Sequence, residues 1–191
     1  METHTAVYFY QARHDEFGCF SNFYPCKFAD DQGRLFHSSE HYFMKRKQEL
    51  FDPNNEELAQ AIMTAKTPAA VKKLGRQVRN YDDAVWSDVR LSVMVDGLKL
   101  KFGTNAKLME TLLATKDKRL YEAAPRDAIW GIGLGVEDVR LLLRENPEFL
   151  RNGDIDEETQ ARSFGSNLLG KALMETRAWY DSGQGVPKWI C

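Results

Sequence analysis

Long apolar runs, a basic leader and paired cysteines are all missing from this chain. No stretch approaches the roughly 18 uninterrupted apolar residues that a membrane-spanning helix requires. The first ten residues, METHTAVYFY, carry neither a basic nor an apolar segment, so no secretory signal is expected. Cysteine is scarce. Cys19, Cys26 and Cys191 are an odd number without a CxxC pair, which argues against a disulfide framework and against a zinc ribbon. Net charge is also small, at −2, so duplex nucleic acid would not be held by charge alone, although one nucleotide can still be recognised in a pocket. These absences lead us to expect a soluble protein of a reducing compartment, cytoplasmic or nuclear, with no membrane partner.

What is present describes a globular chain. Aromatic residues are plentiful (four Trp, seven Tyr, eleven Phe), and 43% of the sequence is hydrophobic. A chain of 191 residues suits one domain, here taken as 1–191, that buries about 70% of the surface exposed when unfolded. Residues 7–11 (VYFYQ) read as a strand, and 27–29 and 34–36 flank the turn Asp30-Asp31-Gln32-Gly33 as a hairpin. Ser38 or Ser39 caps a helix running to about Phe51, where Asp52-Pro53 stops it.

Further helices are expected over 55–65, from Pro68 to about Arg79, and from Asp82 or Asp83 to Gly103. Within the last, Leu91, Val95, Leu98 and Phe102 form a core stripe. Residues 105–114 repeat that pattern, 119–123 read as a short strand and 136–144 as a helix stopped by Asn146-Pro147. Residues 151–161 read as a polar surface loop, and 167–180 as a final amphipathic helix. No internal repeat is present. The expected fold class is α+β, a helix-dominated single domain with a small antiparallel sheet.

The chemistry concentrates in residues 20–47. Glu40 and Lys47 stand seven residues apart on the first helix, so a carboxylate and an amine share one face. Each also has a plain structural explanation: an acid in the first turn complements the helix dipole, and Lys47 belongs to the basic run Lys45-Arg46-Lys47. The run His37-Ser38-Ser39-Glu40-His41 matches the HxxEH pattern of inverted zinc proteases. A capping serine, however, would leave His37 outside the helix, so no metal is expected. The segment Asp127-Ala128-Ile129-Trp130-Gly131-Ile132-Gly133-Leu134-Gly135 is not the dinucleotide fingerprint, since Val136 stands where the third glycine belongs. Its glycines either admit a phosphate or ribose to the backbone or make a tight turn beside a tryptophan, and Asp127 either orients a sugar hydroxyl or caps that turn. Asn167 reads as a helix cap, Gly170 as a site of close packing or ligand contact, and Trp86 as either base-stacking or core.

Taken together, these motifs resemble the NADAR family along nearly the whole chain. The matching residues are Phe20-Ser21-Asn22-Phe23-Tyr24-Pro25, Ser39-Glu40-His41-Tyr42 with Lys47, Thr67-Pro68 with Lys72, Leu74-Gly75-Arg76, and Trp86 with Arg90 and Met94. Lys101-Phe102, Leu112-Leu113-Ala114-Thr115, Glu122-Ala123, Asp127 to Gly133 and Asn167-Leu168-Leu169-Gly170 follow in order. The resemblance implies hydrolysis of an N-glycosidic bond to ribose. The implied substrate is ADP-ribose on guanine, as a small molecule or attached to nucleic acid, single-stranded DNA or RNA included. An alternative is a ribosylamino-pyrimidine phosphate of riboflavin synthesis, and another is a non-catalytic module that binds ADP-ribose or a nucleotide.

On that resemblance Glu40 is the catalytic carboxylate or base, and Lys47 and Asp127 assist, Lys47 as a Schiff-base nucleophile if burial frees its amine. Trp130, Trp86 and Tyr24 are candidates to flank the base or sugar, and Arg13, Asn22, Lys72 and Arg76 to make polar or phosphate contacts. Gly131 and Asn167 complete the binding set, and no cofactor is implied. Two departures stand out. Met44 occupies a position where many relatives carry Gln, and a polar insertion spans 145–163.

Overall fold

The computed structural model describes residues 1–13, 16–146 and 164–185. Cys191, the expected loop at 151–161 and nearly all of the insertion lie outside the described residues. Strand β1 (Ala6–Phe9) is followed by a 3-10 turn at Gly18–Phe20, then β2 (Phe28–Ala29) and β3 (Leu35–Phe36). Helices α1 (Ser39–Phe51), α2 (Glu56–Thr64), α3 (Pro68–Gly75), α4 (Asp83–Gly103) and α5 (Ala106–Ala114) come next. Strand β4 (Arg119–Glu122), α6 (Val136–Glu145) and α7 (Leu168–Asp181) complete the described chain. Among the described residues no helix is long and apolar enough to cross a membrane.

The helix starts follow local chemistry. The side chains of Ser38, Asn55, Thr67, Asp82 and Asn105 each accept the N–H three residues on, so α1 to α5 begin where a capping residue stands. Pro68 takes the first helical position of α3. The stripe on α4 is buried as expected, with Leu98 and Phe102 fully enclosed. Helix α4 packs against both α1 and α7, and forms the spine of the larger core.

β2 and β3 make the expected antiparallel pair, with Phe28 opposite Phe36. A second pairing was not legible in the sequence: β1 and β4 run parallel, with Ala6 opposite Arg119 and Phe9 opposite Glu122. Alternation along these strands divides the interior. Val7, Phe9 and Leu120 face the larger core, while Ala6, Tyr8 and Tyr121 face a smaller one completed by Ile132 and by Val139 and Leu143 of α6. A parallel pair covered on both faces is the usual arrangement for such a sheet.

The free edge of β4 is closed by one side chain. Asn167, in the left-handed region at φ 50°, gives its amide to the Leu120 carbonyl (2.9 Å) and takes the Glu122 N–H (3.0 Å). Asn167 therefore does more than begin α7; it serves as a short surrogate strand. Gly170 is required next to it, because a Cβ there would lie 2.0 Å from the Leu120 carbonyl oxygen.

Two element ends differ from expectation. β1 stops at Phe9 rather than residue 11, because Gln11 adopts φ 61° and turns the chain. Helix α3 ends at Gly75 rather than near Arg79. Side chains of neighbouring segments capture its end: the Lys47 amine takes the Gly75 carbonyl (3.2 Å), and the Asp52 carboxylate takes the N–H and guanidinium of Arg79. The chain then bends at Asn80 (φ 55°) and brings Tyr81 back beside α1.

Candidate active site

The aromatic turn at 18–25 is pinned from three sides. The Ser21 hydroxyl accepts the Phe23 N–H, and the Ser21 carbonyl accepts the Tyr24 N–H and the ammonium of Lys101 (3.0 Å). Lys101 is fully buried, with its charge 5.6 Å from the Tyr24 ring centroid and 5.4 Å from that of Phe102. The Asn22 carbonyl accepts the Glu40 N–H (3.1 Å), so turn and helix α1 are stitched together at the residue that carries the carboxylate.

From α1, the residues Glu40, Phe43, Met44 and Lys47 point into one cavity of about 440 Å³, at the i, i+3, i+4 and i+7 positions of one helix face. Its other walls come from Asn22 and Phe23 of the turn, Lys72 and Arg76 of α3, Trp86 and Arg90 of α4, Glu122 at the end of β4, and Asp127 and Trp130 of the following loop. Phe43 bridges the tryptophans, 4.9 Å from Trp86 and edge-on to Trp130 at 5.0 Å. A wider, more open chamber of about 870 Å³ adjoins it, walled by Arg13, Pro25, Thr67, Pro68 and Arg126 among others. The two chambers share Ser21, Phe23, Lys72, Glu122 and Asp127.

The electrostatics are unusual on this shared wall and at Glu40 in the inner chamber. Glu40 is 4% exposed and its Oε1 has no hydrogen-bond partner. Burial pushes its pKa up to about 7, against the pull of Lys72; Asp127 pushes the same way as burial, and Arg76 opposes it. Glu122 is also raised to about 7, by burial first and then by the negative charge of Asp127, with Lys72 opposing and Glu40 adding to the rise. The two carboxyl groups therefore titrate as a coupled set near neutrality. Asp127 holds its loop in place: its Oδ1 accepts the N–H groups of Ile129 (3.0 Å) and Trp130 (2.8 Å).

Lys47 shares the face of α1 with Glu40 but stands two turns further along it. Seven residues of helix rise by roughly 10 Å. Its amine is held by the Gly75 carbonyl, lies 4.0 Å from the Tyr81 ring centroid and feels the charge of Asp83, while burial lowers its pKa. The amine that acts on both glutamates is Lys72.

Most of the residues singled out from sequence meet in this cleft. Glu40, Lys47, Asp127, Asn22, Lys72, Arg76, Trp86 and Trp130 line the inner chamber, and Arg13 the outer one. Tyr24, Gly131 and Asn167 line neither chamber. Tyr24 packs on the core beside Lys101, and Asn167 serves the edge of β4. Gly131 is buried in a loop where a Cβ would stand 2.8 Å from the Glu122 carbonyl and 2.9 Å from that of Asp127. The glycine-rich loop thus binds protein: the carbonyls of Ile129, Trp130 and Gly131 accept the N–H groups of Leu168, Leu169 and Asn167 at the start of α7.

Glu122 and Arg90 were given no role from sequence, though each had a signal. Glu122 shares its strand face with Leu120, which puts a carboxylate on a buried face, and Arg90 lies one turn after Trp86. The histidine pair falls as the capping argument requires. The Ser38 hydroxyl takes the His41 N–H, leaving His37 outside α1, and burial drives the His41 pKa down to about 4. Among the described residues no group of three or more His, Cys, Asp or Glu is arranged to hold a metal. Met44 lines the inner chamber and its thioether fills the space beside Gly75.

The model of the NADAR domain matches residues 8–180. The chain belongs to the NADAR family. An N-glycosidase of Acanthamoeba polyphaga mimivirus is 33% identical over 183 residues, covering 93% of this chain and 97% of that protein. A riboflavin biosynthesis protein of Vibrio vulnificus is 35% identical over 127 residues, 66% of this chain but 33% of that longer protein. The NMR structure of the Escherichia coli protein YbiA superimposes with a TM-score of 0.69 at 28% identity, covering 96% of this chain and 89% of that one.

Proposed function

We propose that this NADAR protein hydrolyses the C–N bond between a ribosyl group and a base, with ADP-ribosylated guanine as the substrate. The observation that carries the reading is the pair of carboxyl groups lining the inner chamber: Glu40, buried there, and Glu122, partly buried on the wall that the inner chamber shares with the outer one. Similarity to a viral protein named N-glycosidase supports the reaction class.

The surroundings of the two groups assign their roles. Glu40 has Lys72 and Arg76 favouring its charge, whereas Glu122 faces two negative neighbours, Asp127 and Glu40, and one positive, Lys72. The reading therefore places the negative charge of the coupled pair on Glu40 and its proton on Glu122. Protonated Glu122 gives its proton to the departing nitrogen as the C–N bond breaks, and the Glu40 carboxylate stabilises the oxocarbenium character left on the anomeric carbon. Water then bonds to that carbon and passes a proton to Glu40. The products are a free ribosyl hydroxyl and the released base, and exchange with solvent restores both carboxyl groups. The tryptophans beside Phe43 supply flat apolar surface for the rings of the substrate.

The extent of the cleft supports the larger substrate. A ribosylamino-pyrimidine phosphate needs little more than the inner chamber, and the Vibrio vulnificus relative gives that second reading its own support. The outer chamber offers space for a base that remains attached to a nucleotide or a nucleic acid. The test offers ADP-ribosylated guanine on a single-stranded oligonucleotide and the pyrimidine intermediate side by side, with Glu40→Gln as control. Release of ADP-ribose that is lost in Glu40→Gln supports the reading. Turnover of the pyrimidine alone transfers it to the second substrate, and a fully active Glu40→Gln removes the proposed chemistry.

A further inference from the structure

The inner chamber has a second pole away from the carboxyl groups. Arg90 lines it with its guanidinium Nε buried and without a hydrogen-bond partner. Lys47 lines it too, with one ammonium bond to the Gly75 carbonyl and its charge over the Tyr81 ring. Arg76 also lines the chamber, but its charge acts on Glu40 at the other end. The acid at this end, Asp83, is engaged by the Tyr81 hydroxyl at 2.7 Å. Two cations, Arg90 and Lys47, against one carboxylate leave a positive excess inside a walled cavity, where fields are strong. A buried guanidinium N–H with nothing to donate to is costly, and an anion with several acceptor oxygens would satisfy it together with the spare protons of Lys47.

From this juxtaposition we infer that the Arg90–Lys47 pole binds the phosphoryl group of a 5-phosphorylated ribosyl unit, and that the leaving base consequently points into the outer chamber. The inference rests on the N-glycosidase reading for the position of the anomeric carbon, which lies at Glu40 and Glu122. Glu40 and Lys47 share one face of α1 about 10 Å apart along the axis. A ribose spans between them when the two side chains reach in toward its anomeric carbon and its 5-phosphoryl group. A phosphate monoester and a diphosphate present the same oxygens to the pole. The orientation follows from the openings, because only the wider chamber can take a base that is still joined to a polymer.

Calorimetric titration of the intact protein tests this with ribose 5-phosphate, ADP-ribose and plain ribose as probes. The wild type binds ribose 5-phosphate or ADP-ribose more tightly than ribose. Arg90→Gln and Lys47→Gln each weaken the phosphorylated probe at least tenfold, leave plain ribose unchanged and stay folded by circular dichroism. Preference between the two phosphorylated probes tells monoester from diphosphate, and either preference is consistent with the pole. Binding of ribose 5-phosphate and ADP-ribose that is no tighter than that of ribose overturns the inference, as does loss of phosphate affinity in Arg13→Gln or Arg126→Gln instead. Glu40→Gln, expected to bind all probes normally, separates failure of this inference from failure of the catalytic reading.

Discussion

Replacing Asp127 by asparagine removes one negative charge while keeping a side-chain oxygen for the Ile129 and Trp130 N–H groups, so the loop stays in place. Asp127 raises the pKa of Glu40 and is the strongest charge raising that of Glu122. Its loss lowers both. At an effective dielectric constant of about 20, unit charges about 6 Å apart interact by roughly 3 kcal/mol, which solvent beside the half-buried Asp127 reduces to about half. Since 1.36 kcal/mol corresponds to one pKa unit, the displacement is on the order of one pH unit. In the proposed mechanism the active form has Glu40 ionised and Glu122 protonated, so activity rises as Glu40 ionises and falls as Glu122 does. With both near 7, the wild-type profile is a narrow bell near neutrality. The assay is kcat/KM for base release from pH 4.5 to 9. Asp127→Asn should carry the whole bell downward by about one unit with its width retained. An unmoved bell of reduced height would refute the electrostatic role and make Asp127 a substrate contact.

Other outcomes follow from the same geometry. Glu122→Gln should stabilise the protein at pH 8 by on the order of 1–3 kcal/mol and leave it unchanged at pH 4, because a folded-state pKa raised from 4.5 to about 7 costs stability as pH climbs through that window; urea titrations at both pH values decide it. Asn167→Ala leaves the Leu120 carbonyl and the Glu122 N–H unpaired at a buried strand edge, and chemical denaturation should show a loss of about 2–4 kcal/mol. Lys101→Met removes a buried ammonium with one oxygen acceptor and no ion-pair partner among the described residues, and should raise the melting temperature at pH 7. That gain fades as pH rises from about 8 through 10.5, because the folded amine, its pKa lowered to about 8 by burial, is already neutral there and the unfolded amine loses its proton only across the upper end of that window.

The local parts of the molecule were legible in the sequence because their causes are local. Ser38, Asn55, Thr67, Asp82 and Asn105 each announce a helix start by chemistry that spans three residues, and all five perform that task. The antiparallel hairpin was readable from its turn. The parallel pairing of β1 with β4 was not, since no turn fixes its register and burial on both faces erases the polar alternation that marks a strand. The early end of α3 depends on Lys47 and Asp52, side chains from a different helix and its cap. The face of α1 that carries Glu40 and Lys47 was readable from spacing, but the different surroundings of the two side chains were not. That difference depends on Tyr81 and Asp83, which reach Lys47 only after the chain bends back. Glu122 went unassigned because its importance comes from Glu40 and Asp127, both distant from it or across a loop.

The parallel β1–β4 ladder has a kinetic consequence. Its partners, such as Ala6 and Arg119, are separated by on the order of a hundred residues, and the edge is finished only when Asn167 arrives. Local helices form early, whereas this ladder must close a very long loop before any contact repays the entropy. On a ribosome the N-terminal strand therefore waits unpaired through most of synthesis, and the carboxyl group at the end of β4 takes its place late. Hydrolytic competence should appear abruptly at the end of folding, so that unfinished chains stay inert toward nucleotides.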